Sequence, residues 1–361
     1  MIKVAIYTIC KNEEQFVKKF MACVKEADGV FVTDTGSTDD TVRLLREEGA
    51  IVNVIKVDPW RFDVARNISL DFVPDDYDVC LSIDLDEILT PGWCDAIKRS
   101  WVDIDRLRYK YVWSHLPDGS DGTSFWYDKC HARKGFRWTK PVHEVMQFYG
   151  DHPERQGYCH DFMLHHYPDV TKSRSSYLQL LELGCKEEPD DDRNCHYLGR
   201  EYMYWGHYDQ AIVELKRHIL LKSAVWEAER AASLRYIGRC YAIQGNKQEA
   251  MRWNLRSVAE APGEREPWTD LGKLYHEMED HPACYFAMKK ALAIVDRPMT
   301  YICEPESWGS LPYDLGGLSA YYMGMYDESL ALTSKAIEFE PTNPRLRQNL
   351  HYAASKIKST S

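Results

Sequence analysis

Three carboxylates follow one apolar run in the stretch "YDVCLSIDLDEIL". Asp84, Asp86 and Glu87 stand where a buried strand should end, and grouped carboxylates there repel one another and lose solvation. If the strand continued, Asp84 and Asp86 would face the same side, because side chains alternate along a strand. Two carboxylates on one face suit Mg²⁺ or Mn²⁺, which prefer oxygen ligands. A D-x-D motif alone is weak support for a metal site, since an acidic chain often contains one.

Other segments of the first half carry polar side chains that could complete a site. In "VTDTGSTDDT", Asp34 could accept hydrogen bonds from a base or a ribose. In "PWRFDVARNISL", Arg66 is a fixed cation that could offset the charge of a phosphate or of the carboxylates. Two later segments, "RWTKPVHEVM" and "MLHHYP", supply further candidate metal ligands and catalytic groups: His143, Glu144, His165 and His166.

Short strands and helices alternate through the first half and predict how these residues are positioned. The runs "KVAIYTI", "GVFVTD", "IVNVIKV" and "DVCLSI" are typical of buried strands. Strand–helix alternation predicts a mostly parallel sheet, and ligands bind beyond the carboxyl ends of such strands. Thr8, Asp34 and Asp84 lie at these ends. Asn12 is expected to cap the first helix, and Ser37 to begin a capping box before the second.

The second half is helical and contains an internal repeat. Gly199, Gly238, Gly272 and Gly317 align at separations of 39, 34 and 45 residues. A tyrosine follows three positions later in the first three units, and another glycine follows seven positions later in three of the four. Small residues at fixed offsets predict paired helices that cross closely. The pattern resembles tetratricopeptide repeats, which have a period of about 34 residues.

Composition and charge narrow the class of protein. The formal net charge of −11 disfavours broad, non-specific binding of nucleic acid, which requires a basic face. The eleven cysteines form no C-x-x-C pair, so buried free thiols in a reducing compartment are expected rather than a disulfide framework. The apolar run at the N-terminus is too short for a signal peptide, and no segment is apolar over 18 residues. These features predict a cytoplasmic protein.

The first half of the chain resembles glycosyltransferase family 2, which has the GT-A fold. The resemblance rests on six motifs in this order: "ICKNEE", "VTDTGSTDDT", "WRFDVARN", "LSIDLDEIL", "VHE" and "HHY". The similarity is closest to bacterial members with C-terminal tetratricopeptide repeats, and it covers most of the chain. It implies an α/β GT-A nucleotide-sugar domain over residues 1–172 and an all-α tetratricopeptide-repeat solenoid over residues 173–361. It also implies metal-dependent, inverting transfer of a hexose from a nucleotide-diphosphate donor, with UDP-sugars expected, to an acceptor hydroxyl.

The resemblance further implies roles for individual residues. Asp86 would hold Mn²⁺ or Mg²⁺, with His166 as a later metal ligand. Glu144 would be the catalytic base, although many family 2 enzymes use an Asp in an E-D pair that this region lacks. The nucleotide-sugar pocket would be lined by Thr8, Glu14, Asp34, Arg66 and Asp84.

Two other classes remain as alternatives. "DLDEI" also matches the signature of a haloacid-dehalogenase-like phosphatase, with Asp84 as nucleophile and Asp86 as acid. That signature normally ends the first strand of its fold, whereas here it ends about the fourth. The second alternative is a non-catalytic repeat adaptor with a degenerate transferase domain. The sequence does not identify the acceptor, which could be a protein, a glycan, a lipid-linked saccharide or a modified nucleic-acid base, and the repeats offer a surface for a protein partner.

Overall fold

The structure is a computed structural model that describes residues 2–116, 118–169 and 175–360. It divides into two compact units, Met1–Gly184 and Cys185–Ser361. The predicted boundary between residues 172 and 173 lies outside the described residues.

A mixed sheet with helices forms the first unit. The described strands are β1 (Val4–Cys10), β2 (Gly29–Asp34), β3 (Ile51–Val54), β4 (Val79–Ser82), β5 (Glu87–Leu89), β6 (Arg106–Val112), β7 (Ser124–Ala132), β8 (Phe136–Thr139), β9 (Val145–Phe148) and β10 (Gln156–His166). The helices are α1 (Glu14–Val24), α2 (Thr41–Glu47), α3 (Phe62–Phe72), α4 (Trp93–Ser100) and α5 (Ser175–Glu187), which crosses the boundary between the units.

The sheet has the strand order β3-β2-β1-β4-β7-β6-β10-β5, while β8 and β9 form a separate hairpin. Strands β1 to β4 are parallel, as the sequence predicts. Antiparallel β7 then joins β4 to β6, and β10 runs parallel to β6. The carboxyl ends of β1, β2 and β4 therefore lie along one edge of the sheet.

Strand β1 is the centre of this unit, and all seven of its residues are buried. Val4 and Ile6 join the core cluster that contains the apolar stripe of α1, including Val17 and Phe20. Alternate residues of β1, such as Tyr7, belong to a second cluster that contains side chains of α3. The strand is apolar on both faces because a helix covers each of them.

The two predicted helix caps are wrong. Helix α1 begins at Glu14, and Asn12 has a φ of 53° and instead accepts a hydrogen bond from the Thr38 N–H at 2.7 Å. Ser37 forms no capping box, because its N–H donates to Asp34 at 2.9 Å. The Ser37 hydroxyl accepts a hydrogen bond from the Asn12 N–H at 2.8 Å, so both side chains tie the loop after β2 to the segment before α1. Such contacts compete with local capping, and the sequence does not show them.

The second unit consists of helices. They are α6 (Asp192–Tyr204), α7 (Tyr208–His218), α8 (Glu227–Ile243), α9 (Lys247–Glu260), α10 (Arg265–Glu277), α11 (His281–Ala293), α12 (Pro305–Trp308), α13 (Leu311–Tyr322), α14 (Tyr326–Phe339) and α15 (Pro344–Thr360). No helix among the residues that the structure describes is both long and apolar enough to cross a membrane.

The four aligned glycines lie where two helices of a hairpin cross. A Cβ atom on Gly199 would lie 2.6 Å from Leu215 Cγ, and one on Gly317 would lie 2.7 Å from Thr333 Oγ1. In every hairpin the obstructing residue is sixteen positions after the glycine, at Leu215, Asn254, Met288 and Thr333. This shared register confirms the predicted repeat.

The turn inside each hairpin also repeats. Gly206, Gly245 and Gly324 have φ values of 77°, 78° and 77°, in the left-handed region that glycine adopts without strain. In the third hairpin the same turn position is Glu279, with a φ of 58°. The geometry is therefore retained where the glycine is absent from the sequence.

Residues 294–310, here called the insert, account for the long spacing before the fourth aligned glycine. The ring of Tyr301 stacks on Tyr197 with centroids 5.6 Å apart. Glu304 accepts hydrogen bonds from Arg235 and Arg239, each at 2.6 Å. Burial alone would raise the pKa of Glu304, but the two guanidinium groups hold it well below its ordinary value. The insert is thus fixed to α6 and α8.

We expect Gly199→Val to destabilise the helical unit, because the added atoms overlap Leu215. Overpacking of this kind costs about 1–3 kcal/mol, which outweighs the gain in helix propensity. Thermal unfolding followed at 222 nm should show a midpoint lower by several degrees. Gly263→Val is the matched control, since a Cβ there meets no atom within 4 Å. Equal melting of both variants would contradict the crossing described.

Candidate active site

Arg66 links the groups at the carboxyl edge of the sheet. It lies on α3 with only 4% of its surface exposed. One Nη atom is 3.0 Å from Asp84 and Nε donates to Glu144. The other Nη lies 3.4 Å from Ser82 Oγ at the end of β4, and the guanidinium packs 5.2 Å from the centre of the Trp138 ring. One cation therefore connects α3, the end of β4 and the segment before β9.

The charges of this cluster are mutually stabilised. Burial alone would raise the pKa of Asp84, but Arg66 and then Lys129 lower it to about 2. Burial would lower the pKa of Arg66, and the carboxylates of Asp84 and Glu144 raise it well above its ordinary value. Arg66 and Asp84 are therefore both charged at neutral pH.

The backbone turns after β4, so the two D-x-D carboxylates do not face one side as they would on a continued strand. The strand ends at Ser82, and the Glu87 N–H donates to the Asp84 carbonyl at 3.0 Å. This turn separates the two D-x-D carboxylates. Asp84 contacts Arg66, whereas Asp86 lies 3.4 Å from Nε2 of a histidine at the end of β10, His166.

Asp86 and His166 form a pair that fits a divalent cation. His166 Nδ1 lies 3.1 Å from the Trp113 carbonyl, which makes it the donor and leaves Nε2 directed towards Asp86. A backbone partner on the second ring nitrogen is typical of metal-ligating histidines. The 3.4 Å separation of Nε2 and Oδ2 suits two ligands of one ion at about 2.1 Å each.

Two further residues belong to the site: Glu87, which was named among the grouped carboxylates of the sequence without a role, and Lys129, which sequence reasoning missed. Glu87 is 2% exposed and accepts hydrogen bonds from the Asp84 N–H at 2.8 Å and from Tyr111 at 2.7 Å. Burial and the charge of Asp84 raise its pKa to about 7. Lys129 on β7 is also buried, 4.8 Å from the centre of the Tyr127 ring. Glu87 has the same period-two phase as Leu85 and Leu89 in "LDEIL", which is a signal for an inward side chain. No such signal marks Lys129.

The remaining predicted site residues lie at the same edge but are held by other partners. Thr8 is fully buried, and its hydroxyl donates to the Ile9 carbonyl at 3.2 Å. One oxygen of Asp34 accepts the N–H groups of Gly36 and Ser37, each at 2.9 Å.

Glu14 is exposed, and its carboxylate accepts the Asp40 N–H at 2.9 Å. The structure thus joins Arg66, Asp84 and Glu144 in one cluster, with Asp86 and His166 beside it.

The chain combines an α/β sheet with a cluster of charged groups at the carboxyl ends of its parallel strands, which is where such folds bind ligands. Residues 5–165 match the family model described as "Glycosyl transferase family 2". The first unit carries a glycosyltransferase family 2 domain, and the predicted resemblance is confirmed. A comparison with curated proteins gives no match.

Several solved structures match about half of the chain. "Crystal structure of MamA" covers 48% of this chain and 96% of its own, with 22% identity and a TM-score of 0.38. YrrB, described as a TPR protein with an unusual peptide-binding site, covers 49% and 84%, with 13% identity and a TM-score of 0.40. A thermophilic TPR protein from Thermus thermophilus covers 50% and 90%, with 20% identity and a TM-score of 0.35.

A buried chain of hydrogen bonds supports the ring on which Arg66 packs. Trp138 Nε1 donates to the Tyr7 hydroxyl at 2.9 Å, and that hydroxyl lies 2.8 Å from His131 Nε2. His131 Nδ1 lies 2.8 Å from the Ala132 carbonyl. Burial, aided by nearby arginines, lowers the pKa of His131 to about 3. The neutral imidazole is therefore part of the folded state.

We expect His131 to make the stability of the first unit sensitive to acid. Because its pKa is lowered by folding, its stabilisation is complete above about pH 6.5 and is lost as the pH falls towards 3. Urea unfolding at pH 7.5 and 5.0 should show that the wild type loses about 2 kcal/mol more than His131→Gln does. His160→Gln, at an exposed histidine, should behave like the wild type. Equal pH dependence in the wild type and His131→Gln would contradict the expectation.

Proposed function

We propose that the chain is a metal-dependent, inverting hexosyltransferase that moves a sugar from a nucleotide-diphosphate donor to an acceptor hydroxyl. UDP-sugars are the proposed donors. The observation that carries the proposal is the buried Arg66 bound to Asp84 and Glu144, next to the Asp86–His166 pair, at the ligand-binding edge of a glycosyltransferase family 2 domain.

Asp86 and His166 would hold the divalent ion. An oxygen and an imidazole nitrogen suit Mn²⁺ better than Mg²⁺, which prefers oxygen ligands alone. When bound, the ion would supply positive charge beside the diphosphate leaving group. The Trp113 carbonyl would keep the imidazole in the tautomer that leaves Nε2 available.

Arg66 and Asp84 would form the wall of the donor pocket. Asp34 would shape the pocket by holding the loop that follows β2, and its accepted N–H groups support this role. Thr8 and Glu14 are assigned to the same pocket on the resemblance alone. Two carboxylates hold the guanidinium at this edge, so it would already be positioned near the diphosphate.

Glu144 is the proposed base, and its contact with Arg66 suggests how it would be controlled. While Arg66 Nε donates to one oxygen of Glu144, that oxygen is not available to an acceptor hydroxyl. If the arriving diphosphate drew Arg66 away, one oxygen of Glu144 would be released to accept the proton of the acceptor hydroxyl. The competing role is positioning, in which Glu144 only orients Arg66.

The acceptor and the partners stay open within this proposal. The acceptor is a protein side chain, a glycan, a lipid-linked saccharide or a modified nucleic-acid base, and a protein partner is proposed for the helical unit.

A cytoplasmic setting is supported by the cysteines, all of which are free thiols. Free thiols are typical of reducing compartments.

We expect Asp86→Ala to abolish the Mn²⁺-dependent part of nucleotide binding while the fold is retained. Calorimetric titration with UDP, with and without Mn²⁺, measures this effect, and release of UDP from a panel of UDP-sugars measures turnover. Asp95→Ala is the control, since Asp95 is exposed on α4. Unchanged metal-dependent binding in Asp86→Ala would remove the residue from the metal site. Release of inorganic phosphate from a phosphomonoester would favour the phosphatase alternative.

Glu144→Gln separates the two roles of Glu144. Glutamine keeps the shape but cannot take a proton, so a base predicts a fall in kcat by about 10²–10⁴ with little change in donor KM. A positioning residue predicts the reverse, a raised donor KM, since Arg66 loses a charged partner. Initial rates at varied donor concentration distinguish the two. Unchanged kinetic constants would exclude both roles.

A further inference from the structure

His218 occupies a position that small residues fill in the other hairpins. Counting nineteen residues from each aligned glycine gives His218, Ser257, Ala291 and Ala336, and all four are fully buried. A buried imidazole at this crossing is therefore a departure from the repeat, and its polar atoms require partners.

Two carboxylates face this histidine. His218 Nε2 lies 3.4 Å from Glu229 Oε2, and one ligand atom from each of Asp192, His218 and Glu229 lies within 4.8 Å of the other two. The three residues belong to the successive helices α6, α7 and α8. The group lies in the second unit and does not belong to the proposed transferase site.

The hydrogen bonds of His218 leave one ring nitrogen, Nε2, directed at Glu229. Nδ1 lies 2.9 Å from Ser233 Oγ, which in turn lies 2.8 Å from Nδ1 of His196. Nε2 is buried and makes no hydrogen bond. Its 3.4 Å distance to Glu229 is long for an N–H···O bond, for which about 2.7–3.2 Å is usual, but fits two ligands of one ion at about 2.0 Å.

We infer that Asp192, His218 and Glu229 bind a divalent transition-metal ion that joins the first three helices of the array. Two carboxylates balance the charge of the ion, and one imidazole with two carboxylates fits Zn²⁺ better than Mg²⁺ or Ca²⁺. Ser233 would fix the histidine tautomer, and Tyr301 of the insert donates to the second oxygen of Glu229. Asp192 is partly exposed and gives the ion a path of entry.

The test uses the full chain carrying Asp86→Ala and His166→Ala, which removes the proposed transferase ligands. After treatment with a chelator and dialysis, Co²⁺ is titrated as a spectroscopic probe and Zn²⁺ as its competitor. We expect one equivalent of Co²⁺ with visible d–d absorption, displaced by Zn²⁺. Alanine is the residue found at the position of His218 in the third and fourth hairpins. In the same background, His218→Ala should weaken Co²⁺ binding at least tenfold. Asp192→Asn should do the same, and exposed His207→Gln should not.

Circular dichroism at 222 nm checks that each variant is folded. If His218→Ala does not fold, Asp192→Asn decides the matter, because its side chain is partly exposed and the substitution keeps its shape. The inference is overturned if the background chain binds no equivalent of Co²⁺, or if Asp192→Asn or a folded His218→Ala binds it as tightly as the background. Loss of binding in His207→Gln would identify a surface site and would also overturn it.

Discussion

The first unit depends on a cation buried between two carboxylates. A buried guanidinium without a partner would strongly destabilise the folded state. Removing one partner of a buried ion pair destabilises a protein by about 3–5 kcal/mol. Arg66 avoids that cost by contacting Asp84 and Glu144 from an almost fully buried position. The contacts join a helix to the segments after β4 and before β9. The same arrangement that stabilises the fold therefore assembles the charges of the candidate site.

The second unit depends on a different constraint, which is the close approach of helices at glycine. Each aligned glycine meets a residue sixteen positions later, so the crossing of each hairpin is fixed by the absence of a side chain. Departures from the repeat are correspondingly informative. His218 replaces a small residue, and the insert lengthens one connection. Both departures involve polar contacts that the repeat itself does not need.

Local patterns predicted the elements better than they predicted their contacts. The parallel strands, the apolar stripe of α1 and the register of the hairpins follow from periodicity, which is a property of neighbouring residues. The resemblance also placed Arg66, Asp84 and Asp86 in one predicted site, and the structure brings Arg66 and Asp84 into contact. The orientation of Asp86 and the burial of Glu87 could not be predicted, because both result from the turn after β4. Lys129 was missed because the charged groups near it, Arg66, Asp84 and Glu87, come from other segments of the chain.

The insert already occupies polar and aromatic side chains that a partner of the helical unit could otherwise contact. Its Glu304 already satisfies Arg235 and Arg239, and its Tyr301 already covers Tyr197. A tethered segment acts at an effective concentration of about millimolar, so a free acidic peptide that used the same arginines would have to exceed that level or bind more tightly. Any partner that used these two arginines would therefore compete with the insert of the chain itself. The affinity for such a partner would rise if the insert were bound less tightly, even if every contact of the partner itself stayed the same.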